Sequence, residues 1–295
     1  MKKNILLSFS TLLLLLSIVL SCTDHFPPDP LPNHQRIKKI TQTLPDEPGI
    51  TYITNFSYTP QGDSLKQLQS YKVPDDPQGL YPVVTRYSFR SGGAVDVQRN
   101  FTSLFPGEFF GYLVNAEGKA LQINYYNKQN DNYLMFFTYN GSQLESSRKT
   151  FKFSSVSFEQ KIWYFFAGNN LSSVKYETTL VKNIPSVTNS ESQFTYDDKV
   201  NPFYGMLVIP ASNVGAATPT TGNFYQYTFA AGLDNFMHLS RNNVLSEKSS
   251  TLSETTYSYE YNADGLPTKR ITMKKNTPQD QPYVAETIII EYETY

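Results

Sequence analysis

The stretch TTYSYEYNADGLPTKRITMKK, residues 255–275, decides the fold class. Its three tyrosines alternate with polar residues, as expected of a β-strand with one buried face. Asp264 and Gly265 interrupt the alternation with residue types that favour a turn, and a second alternating run follows. The stretch therefore predicts a β-hairpin.

The same pattern recurs along most of the chain: an aromatic-rich run, a turn with Gly or Asn, and a second run with polar edges. The last aromatic or apolar residue before each turn recurs at intervals of 25 to 33 residues: Tyr58, Phe89, Val114, Tyr139, Phe166, Tyr196, Phe229 and Tyr261. Tandem hairpins, propeller blades and solenoid turns produce such a period. Residues 50–295 are predicted to be all-β, an antiparallel meander of hairpins in one curved or partly closed sheet.

Residues 201–245 depart from the pattern and are predicted to form an irregular insertion. Three prolines in this region rule out a central strand. Apolar residues at 233, 236, 237 and 244 indicate a loop and short-helix cap on the sheet. Because long irregular loops are often functional, candidate binding residues are assigned here: Asn201, Phe203, His238, Arg241, Asn242 and Asn243.

The N-terminus has the features of a secretory signal peptide. Two lysines precede an apolar run from Ile5 to Leu20, and polar residues and prolines follow, which disfavours a spanning helix. Residues 1–21 are therefore predicted to be cleaved, and the Pro-rich residues 22–49 to form a flexible tether. Two histidines in such a tether do not make a preorganised metal site.

The chain contains a single cysteine, Cys22, at the end of the apolar run. The sequence Val19-Leu20-Ser21-Cys22 resembles the lipobox of bacterial lipoproteins, and the alternative is a leftover cysteine of an ordinary signal peptide. The resemblance implies that Cys22 carries acyl chains that bind the protein to a membrane of the bacterial cell envelope, most simply the outer membrane.

The charge balance excludes partners that are recognised mainly by charge. The formal net charge is −1, from 25 basic and 26 acidic residues. A nucleic-acid-binding protein would show a basic patch or stripe, and no long run of one sign is present. No nucleic-acid partner is expected.

No enzyme motif stands out, and no catalytic residue, metal or cofactor is assigned. The folded region has one histidine, His238, and no cysteine. Paired carboxylates could still hydrolyse glycosides, but Asp197 and Asp198 are explained by turn chemistry. Trp163 is interpreted first as a core residue and second as a sugar-stacking ring. A curved sheet enclosing an acyl chain is a further possibility.

The residues from Tyr261 to Ile271 resemble the YD-repeat of Rhs-type proteins, and Tyr58 to Gly62 and Tyr196-Asp197 are weaker copies. With the lipobox and the Pro-rich tether, the chain resembles uncharacterised outer-membrane lipoproteins of Bacteroidetes-type bacteria. In the same bacteria, an Asp-Ser-aliphatic triplet such as residues 63–65 serves as an O-glycosylation acceptor, which makes Ser64 a candidate.

Together these patterns predict a membrane-anchored envelope protein that acts as a non-enzymatic binding or scaffold module, with a glycan or an envelope protein as partner. The alternative is a glycan-binding or glycan-hydrolysing protein with paired Asp or Glu residues. The two readings differ in one observable: a hydrolase brings two carboxylates together in a cleft.

Overall fold

The computed structural model describes residues 31–60, 64–80, 83–89, 95–100, 107–127, 132–153, 156–181, 184–205 and 236–295. These residues form sixteen β-strands and two short 3₁₀ turns, Pro32–His34 and Phe236–Leu239. The strands are β1 (Gln35–Thr43), β2 (Thr51–Tyr58), β3 (Leu65–Val73), β4 (Val83–Phe89), β5 (Val95–Asn100), β6 (Glu108–Val114), β7 (Ala120–Asn127), β8 (Asn132–Asn140), β9 (Gln143–Phe153), β10 (Val156–Ala167), β11 (Asn170–Val181), β12 (Pro185–Val200), β13 (Asn242–Ser249), β14 (Glu254–Tyr261), β15 (Pro267–Lys275) and β16 (Tyr283–Thr294).

Each strand pairs antiparallel with its neighbours in sequence. β1 also pairs with β16, from Gln35 opposite Thr294 to Thr43 opposite Thr287, so the described strands form a closed barrel. The predicted all-β antiparallel meander is confirmed. The closure goes further than the curved or partly closed sheet that the sequence predicts.

Because successive strands alternate in direction, their connections alternate between two ends of the barrel. We call the end at which β1 begins and β16 ends the tether end, and the opposite end the far end. Seven of the predicted marker residues lie at or near the end of a strand that runs towards the tether end, and Phe229 lies outside the described residues. The repeat period therefore corresponds to two strands and their two connections.

The predicted boundary of the tether is wrong. β1 lies inside residues 22–49, and Ile37 and Ile40 on it are each only 1% exposed. A register shift between Ile37 and Lys39 places these two isoleucines on the same face although they are three residues apart. The bulge removes the period-2 signal, which is why the strand is hidden in the sequence.

The apolar side chains lie inside the barrel in two clusters. One contains Phe110, Ile123 and Ile288, and the other contains Ile162 and Val174. Phe137 packs against both clusters. The stability of the barrel therefore comes from burial in its interior.

A tyrosine contact recurs between paired strands, and two of the marker residues, Tyr58 and Tyr139, take part in it. In each of four hairpin pairs, a tyrosine on the second strand donates its hydroxyl to a backbone carbonyl on the strand before it. These hydrogen bonds are Tyr58 to Ile37 (2.7 Å), Tyr139 to Ala120 (2.9 Å), Tyr259 to Val244 (2.8 Å) and Tyr292 to Pro267 (2.8 Å). Burial raises the pKa of each of these tyrosines.

The predicted hairpin turn at Asp264 and Gly265 is present between β14 and β15. Gly265 has a φ of 75°, and Asn262 accepts backbone hydrogen bonds from Asp264 and Leu266 through its side chain. The side chain of Asp264 accepts hydrogen bonds from Asn33 and Gln35 at 2.6 and 2.9 Å. This turn therefore holds the chain where it enters the barrel.

The predicted insertion ends earlier than residue 245. β13 begins at Asn242, and Val244 on it is buried in the core. The described part of the insertion comprises residues 201–205 and 236–241, with one 3₁₀ turn. Residue 233, one of the proposed cap positions, lies outside the described residues.

Candidate functional site

A shallow depression of about 390 Å³ lies on the outer wall of the barrel across β8, β9 and β10. It is lined by Phe136, Thr138, Ser146, Ser147, Arg148, Lys161 and Trp163. Strand register arranges the outward side chains in two rows. Thr138, Ser146 and Trp163 are cross-strand neighbours in one row, and Phe136, Arg148 and Lys161 in the other. We call this site the Trp163 depression.

Trp163 is 37% exposed and forms one wall of the depression. Its chain neighbours Ile162 and Tyr164 are buried in the core, so period-2 alternation directs Trp163 outward. The interpretation of Trp163 as a core residue is therefore wrong. Both faces of this strand carry aromatic residues, and the sequence does not show which face the core covers.

Arg148 lies next to Phe136 in the second row. Its guanidinium carbon is 5.3 Å from the centroid of the Phe136 ring, which is cation–π geometry. Arg148 is otherwise exposed. The ring thus restrains a guanidinium that remains accessible from water.

Lys161 is held by two carboxylates outside the lining. Its ammonium lies 3.1 Å from Glu159 and 3.3 Å from Glu177. Hydrogen bonds to Glu159 and then to Glu177 raise the pKa of Lys161. Its positive charge is therefore compensated locally.

Lys175 lies directly opposite Trp163 on β11. Its ammonium is 5.6 Å from the centroid of the Phe165 ring and 3.9 Å from a Glu191 oxygen. Trp163 thus lies between a cationic neighbour on β11 and Ser146 on β9.

The depression combines an exposed indole with hydroxyl, guanidinium and ammonium donors, and its lining contains no carboxylate. Such a surface suits binding through ring stacking and hydrogen bonding. A general acid and a general base for glycoside hydrolysis are both missing from this lining.

The candidate residues of the insertion come together at the tether end, where they hydrogen-bond within the protein. Asn201 is 4% exposed, donates to the Ser240 carbonyl at 2.8 Å and accepts from the Phe203 amide at 3.0 Å. The side-chain amide of Asn170 donates to the side-chain oxygen of Asn242 at 2.9 Å. The backbone N–H of Asn242 donates to the side-chain oxygen of Asn170 at 3.0 Å. The Asn242 contacts join the start of β13 to the start of β11.

Asn243 is 4% exposed and binds Asp197. Its backbone and side-chain nitrogens donate to the two Asp197 oxygens at 3.0 and 3.2 Å. Tyr261 donates its hydroxyl to the same carboxylate, and burial followed by this hydrogen bond raises the pKa of Tyr261. Asp198 instead lies next to Lys199, at 3.3 Å.

The other candidates of this region also have contacts within the protein. Phe203 is buried in the core, 7% exposed. The His238 carbonyl accepts from the Gly205 amide at 2.8 Å, and the Arg241 amide donates to the Asn169 carbonyl at 3.1 Å. A binding role for these residues stays a prediction.

The barrel interior holds a buried ion pair that the sequence does not reveal. Arg270 donates to Glu286 at 2.8 Å, and both side chains are at most 2% exposed. Gln42 and Thr272 also donate to Glu286. Arg270, Thr272 and Glu286 meet through the pairing of β15 with β16, and Gln42 joins them from β1 through the closure of the barrel.

The two predicted modification sites are Ser64 and Cys22, and only Ser64 lies among the described residues. Ser64 lies half-buried in the β2–β3 connection, where its carbonyl accepts from the Thr59 amide at 2.9 Å, and its glycosylation stays a prediction. Cys22 lies outside the described residues.

The described part of the chain contains no group of three or more His, Cys, Asp or Glu residues arranged to hold a metal ion. No helix in it has the length and apolar character needed to cross a membrane.

No protein-family model and no curated protein matches this chain. Its fold is similar to that of two porin-like proteins. The structure of one from Bacteroides uniformis ATCC 8492 has a TM-score of 0.57 at 13% identity, with 90% of this chain and all of that chain covered. The structure of one from Bacteroides vulgatus ATCC 8482 has a TM-score of 0.51 at 13% identity, and the match covers 88% of this chain and 99% of that chain. At this identity the similarity establishes the fold alone.

Proposed function

We propose that this chain is a cell-envelope protein, bound to a membrane by acyl chains on Cys22, whose barrel stands in water and acts as a non-enzymatic binding module. The observation that carries this proposal is the polarity of the barrel wall. A transmembrane barrel has an apolar outer band and a polar lumen. This barrel carries ion-paired charges on its outer wall, beside exposed apolar residues such as Leu134 and Phe165, and it holds two apolar clusters together with buried polar groups inside.

The outer wall carries ion pairs between neighbouring strands. Four of them are Lys39–Glu291 (2.6 Å), Lys161–Glu177 (3.3 Å), Lys248–Glu254 (3.3 Å) and Lys269–Glu260 (2.7 Å). Charged side chains on a lipid-facing surface are destabilising, whereas in water they keep the wall soluble. These ion pairs support the proposal that the wall faces water.

The side chains of the two core clusters are buried inside the barrel and do not line a water-filled channel. Both core clusters project inward, with Phe110 and Ile162 each only 1% exposed. A pore needs a polar, water-filled lumen. The described interior thus favours a binding or scaffold role over a channel.

The position of β1 supports attachment through the N-terminus. The chain enters the barrel at the tether end, next to Asp264 and the C-terminal Tyr295, whose amide donates to the His34 carbonyl at 3.1 Å. The ten-residue step from Cys22 to Pro32 spans at most about 36 Å. An anchor at Cys22 would keep this end of the barrel near the lipid.

The location in the envelope, with the outer membrane as the proposed site, is supported by the lipobox and by the Bacteroides origin of the two porin-like structures. A hydrolase is less well supported, since the buried Glu286 is bonded to Arg270 and the lining of the Trp163 depression contains no carboxylate.

Single-cysteine labelling of the membrane-bound full chain tests the polarity of the wall, because Cys22 is the only cysteine and acylation would block it. Ser88→Cys and Ser258→Cys place thiols at exposed outward positions, whereas Ser70→Cys and Ser192→Cys place them at positions 1% and 4% exposed. We expect a membrane-impermeant maleimide to label the first pair rapidly and the second pair only after unfolding. The reverse pattern, with inward thiols labelled and outward thiols protected, would indicate a lipid-embedded barrel and refute the proposal.

A further inference from the structure

We propose that the Trp163 depression binds a carbohydrate that bears a carboxylate, with one sugar ring stacked on Trp163 and the carboxylate bound by Arg148. This inference rests on the proposed function, because only a wall that faces water can present the depression to a glycan. It names the ligand class that the wall would bind.

The indole provides the stacking surface. Trp163 is 37% exposed, on a strand whose next outward neighbours are the charged Lys161 and the aromatic Phe165. An exposed aromatic ring among hydrogen-bonding groups matches the two kinds of surface of a pyranose, an apolar face and a polar rim. The Trp163 ring therefore determines where the sugar lies.

Two hydroxyl residues lie beside the ring. Ser146 is directly opposite Trp163, and Thr138 is directly opposite Ser146. Directly opposed Cβ atoms lie about 4.5–5.5 Å apart, so both hydroxyls are within reach of a ring stacked on the indole. They can donate and accept hydrogen bonds with sugar hydroxyls.

Arg148 provides the site for the carboxylate. It is diagonal to Trp163, because Arg148 faces Lys161 while Ser146 faces Trp163. Diagonal neighbours lie about 7–8 Å apart, which leaves room for one sugar ring between the indole and the guanidinium. A guanidinium binds a carboxylate through two parallel hydrogen bonds, and Phe136 restrains this one from below.

The surrounding charges favour a ligand with isolated carboxylates over a dense polyanion. Lys161 is compensated by Glu159 and Glu177, and Lys175 faces Glu191. These glutamates would repel closely spaced phosphates or sulfates. A uronic acid, with one carboxylate per ring, fits the arrangement.

The test begins with an array of uronate-bearing and neutral glycans, probed with the full chain purified from membranes. The strongest uronate-bearing oligosaccharide is then titrated, together with its methyl ester, while the emission of Trp163, the only tryptophan in the chain, is followed. We expect the acid to shift this emission and the ester to bind about tenfold more weakly or worse, since a charge-assisted contact is lost.

Variants locate the site. We expect Trp163→Ala and Arg148→Gln to weaken binding of the acid, measured by calorimetry, by about tenfold or more. Phe165→Ala, an exposed ring on the same face of the same strand, and Lys66→Gln, an exposed cation on β3, serve as matched controls and should bind within about twofold. Trp163→Tyr retains a stacking ring, so partial recovery of binding distinguishes lost stacking from a folding defect.

An array without any uronate-bearing binder would overturn the inference, as would binding that both Trp163→Ala and Arg148→Gln leave unchanged. The labelling of the wall thiols is independent of this result. A water-facing wall that binds no uronate leaves the proposed function standing and removes only the ligand assignment.

Discussion

Arg270 and Glu286 form an ion pair inside the barrel, with a guanidinium nitrogen 2.8 Å from a carboxylate oxygen and both side chains shielded from water. The Arg270 guanidinium also lies 5.3 Å from the centroid of the Tyr257 ring. Burial lowers the pKa of the Arg270 guanidinium. The charge of Glu286 and the neighbouring tyrosines raise this pKa by more, so the net shift is upward. The pair links β15 to β16, next to the closure of the barrel.

Glu286→Ala leaves the buried Arg270 without its carboxylate. We expect the free energy of unfolding to fall by about 3–5 kcal/mol, measured by urea denaturation. The double variant Arg270→Met/Glu286→Met should recover most of this loss, because both charges are removed together.

Glu254→Ala is the matched control, since Glu254 pairs with Lys248 on the exposed wall. It should lower stability by less than about 1 kcal/mol. A loss for Glu286→Ala that is no larger than this control would contradict a structural role for the buried pair.

Tyr139→Phe removes one of the recurring tyrosine hydrogen bonds, from the Tyr139 hydroxyl to the Ala120 carbonyl at 2.9 Å. We expect the variant to lose about 1 kcal/mol of stability at neutral pH. Tyr126→Phe, with an exposed ring on β7, should change stability by much less. Equal effects of the two substitutions would show that the hydroxyl contact of Tyr139 contributes nothing.

The same tyrosine predicts a loss of stability at high pH. Burial raises the pKa of Tyr139 from 10.0 to about 12. Between these values the unfolded chain loses the proton while the folded chain keeps it, so stability is complete below pH 10 and falls as the pH rises towards 12. Tyr139→Phe should reduce this slope in alkaline denaturation curves, and an unchanged slope would contradict the assignment.

Gly265→Ala tests the turn between β14 and β15. Gly265 has a φ of 75°, whereas an added Cβ would lie 3.7 Å from the Lys199 side chain, an ordinary contact. The expected loss of about 1 kcal/mol in thermal unfolding therefore comes from backbone conformation. Gly111→Ala adds a Cβ without such a φ and with neighbours no closer than 3.9 Å, so it should be close to neutral. Similar losses at both positions would argue against a conformational cause.

The hairpin order could be predicted from the sequence because it depends on local patterns. Tyr58, Val114, Tyr139 and Tyr261 mark four of the connections at the tether end, since each precedes a turn and each repeat comprises two strands. β1 was hidden because its bulge between Ile37 and Lys39 breaks the alternation. A one-residue irregularity is enough to remove a period-2 signal.

The Trp163 depression could not be predicted from local patterns, because strand register assembles it. Phe136, Arg148 and Trp163 come from three strands and meet only once β8, β9 and β10 are aligned. The alternation of Ile162, Trp163 and Tyr164 gives two opposite faces but does not say which one meets the core. The Arg270–Glu286 pair required the same information.

Fractionation of cells expressing the wild-type chain or Cys22→Ala, followed by a high-salt wash, tests whether acyl chains alone hold the barrel at the membrane. A water-facing barrel bound only by its acyl chains predicts that the wild type stays with the membrane. Cys22→Ala should then appear in the soluble fraction with the β-rich circular dichroism spectrum of the folded barrel. Folded Cys22→Ala that has lost residues 1–21 and still remains in the membrane fraction after the wash would refute attachment through the acyl chains alone.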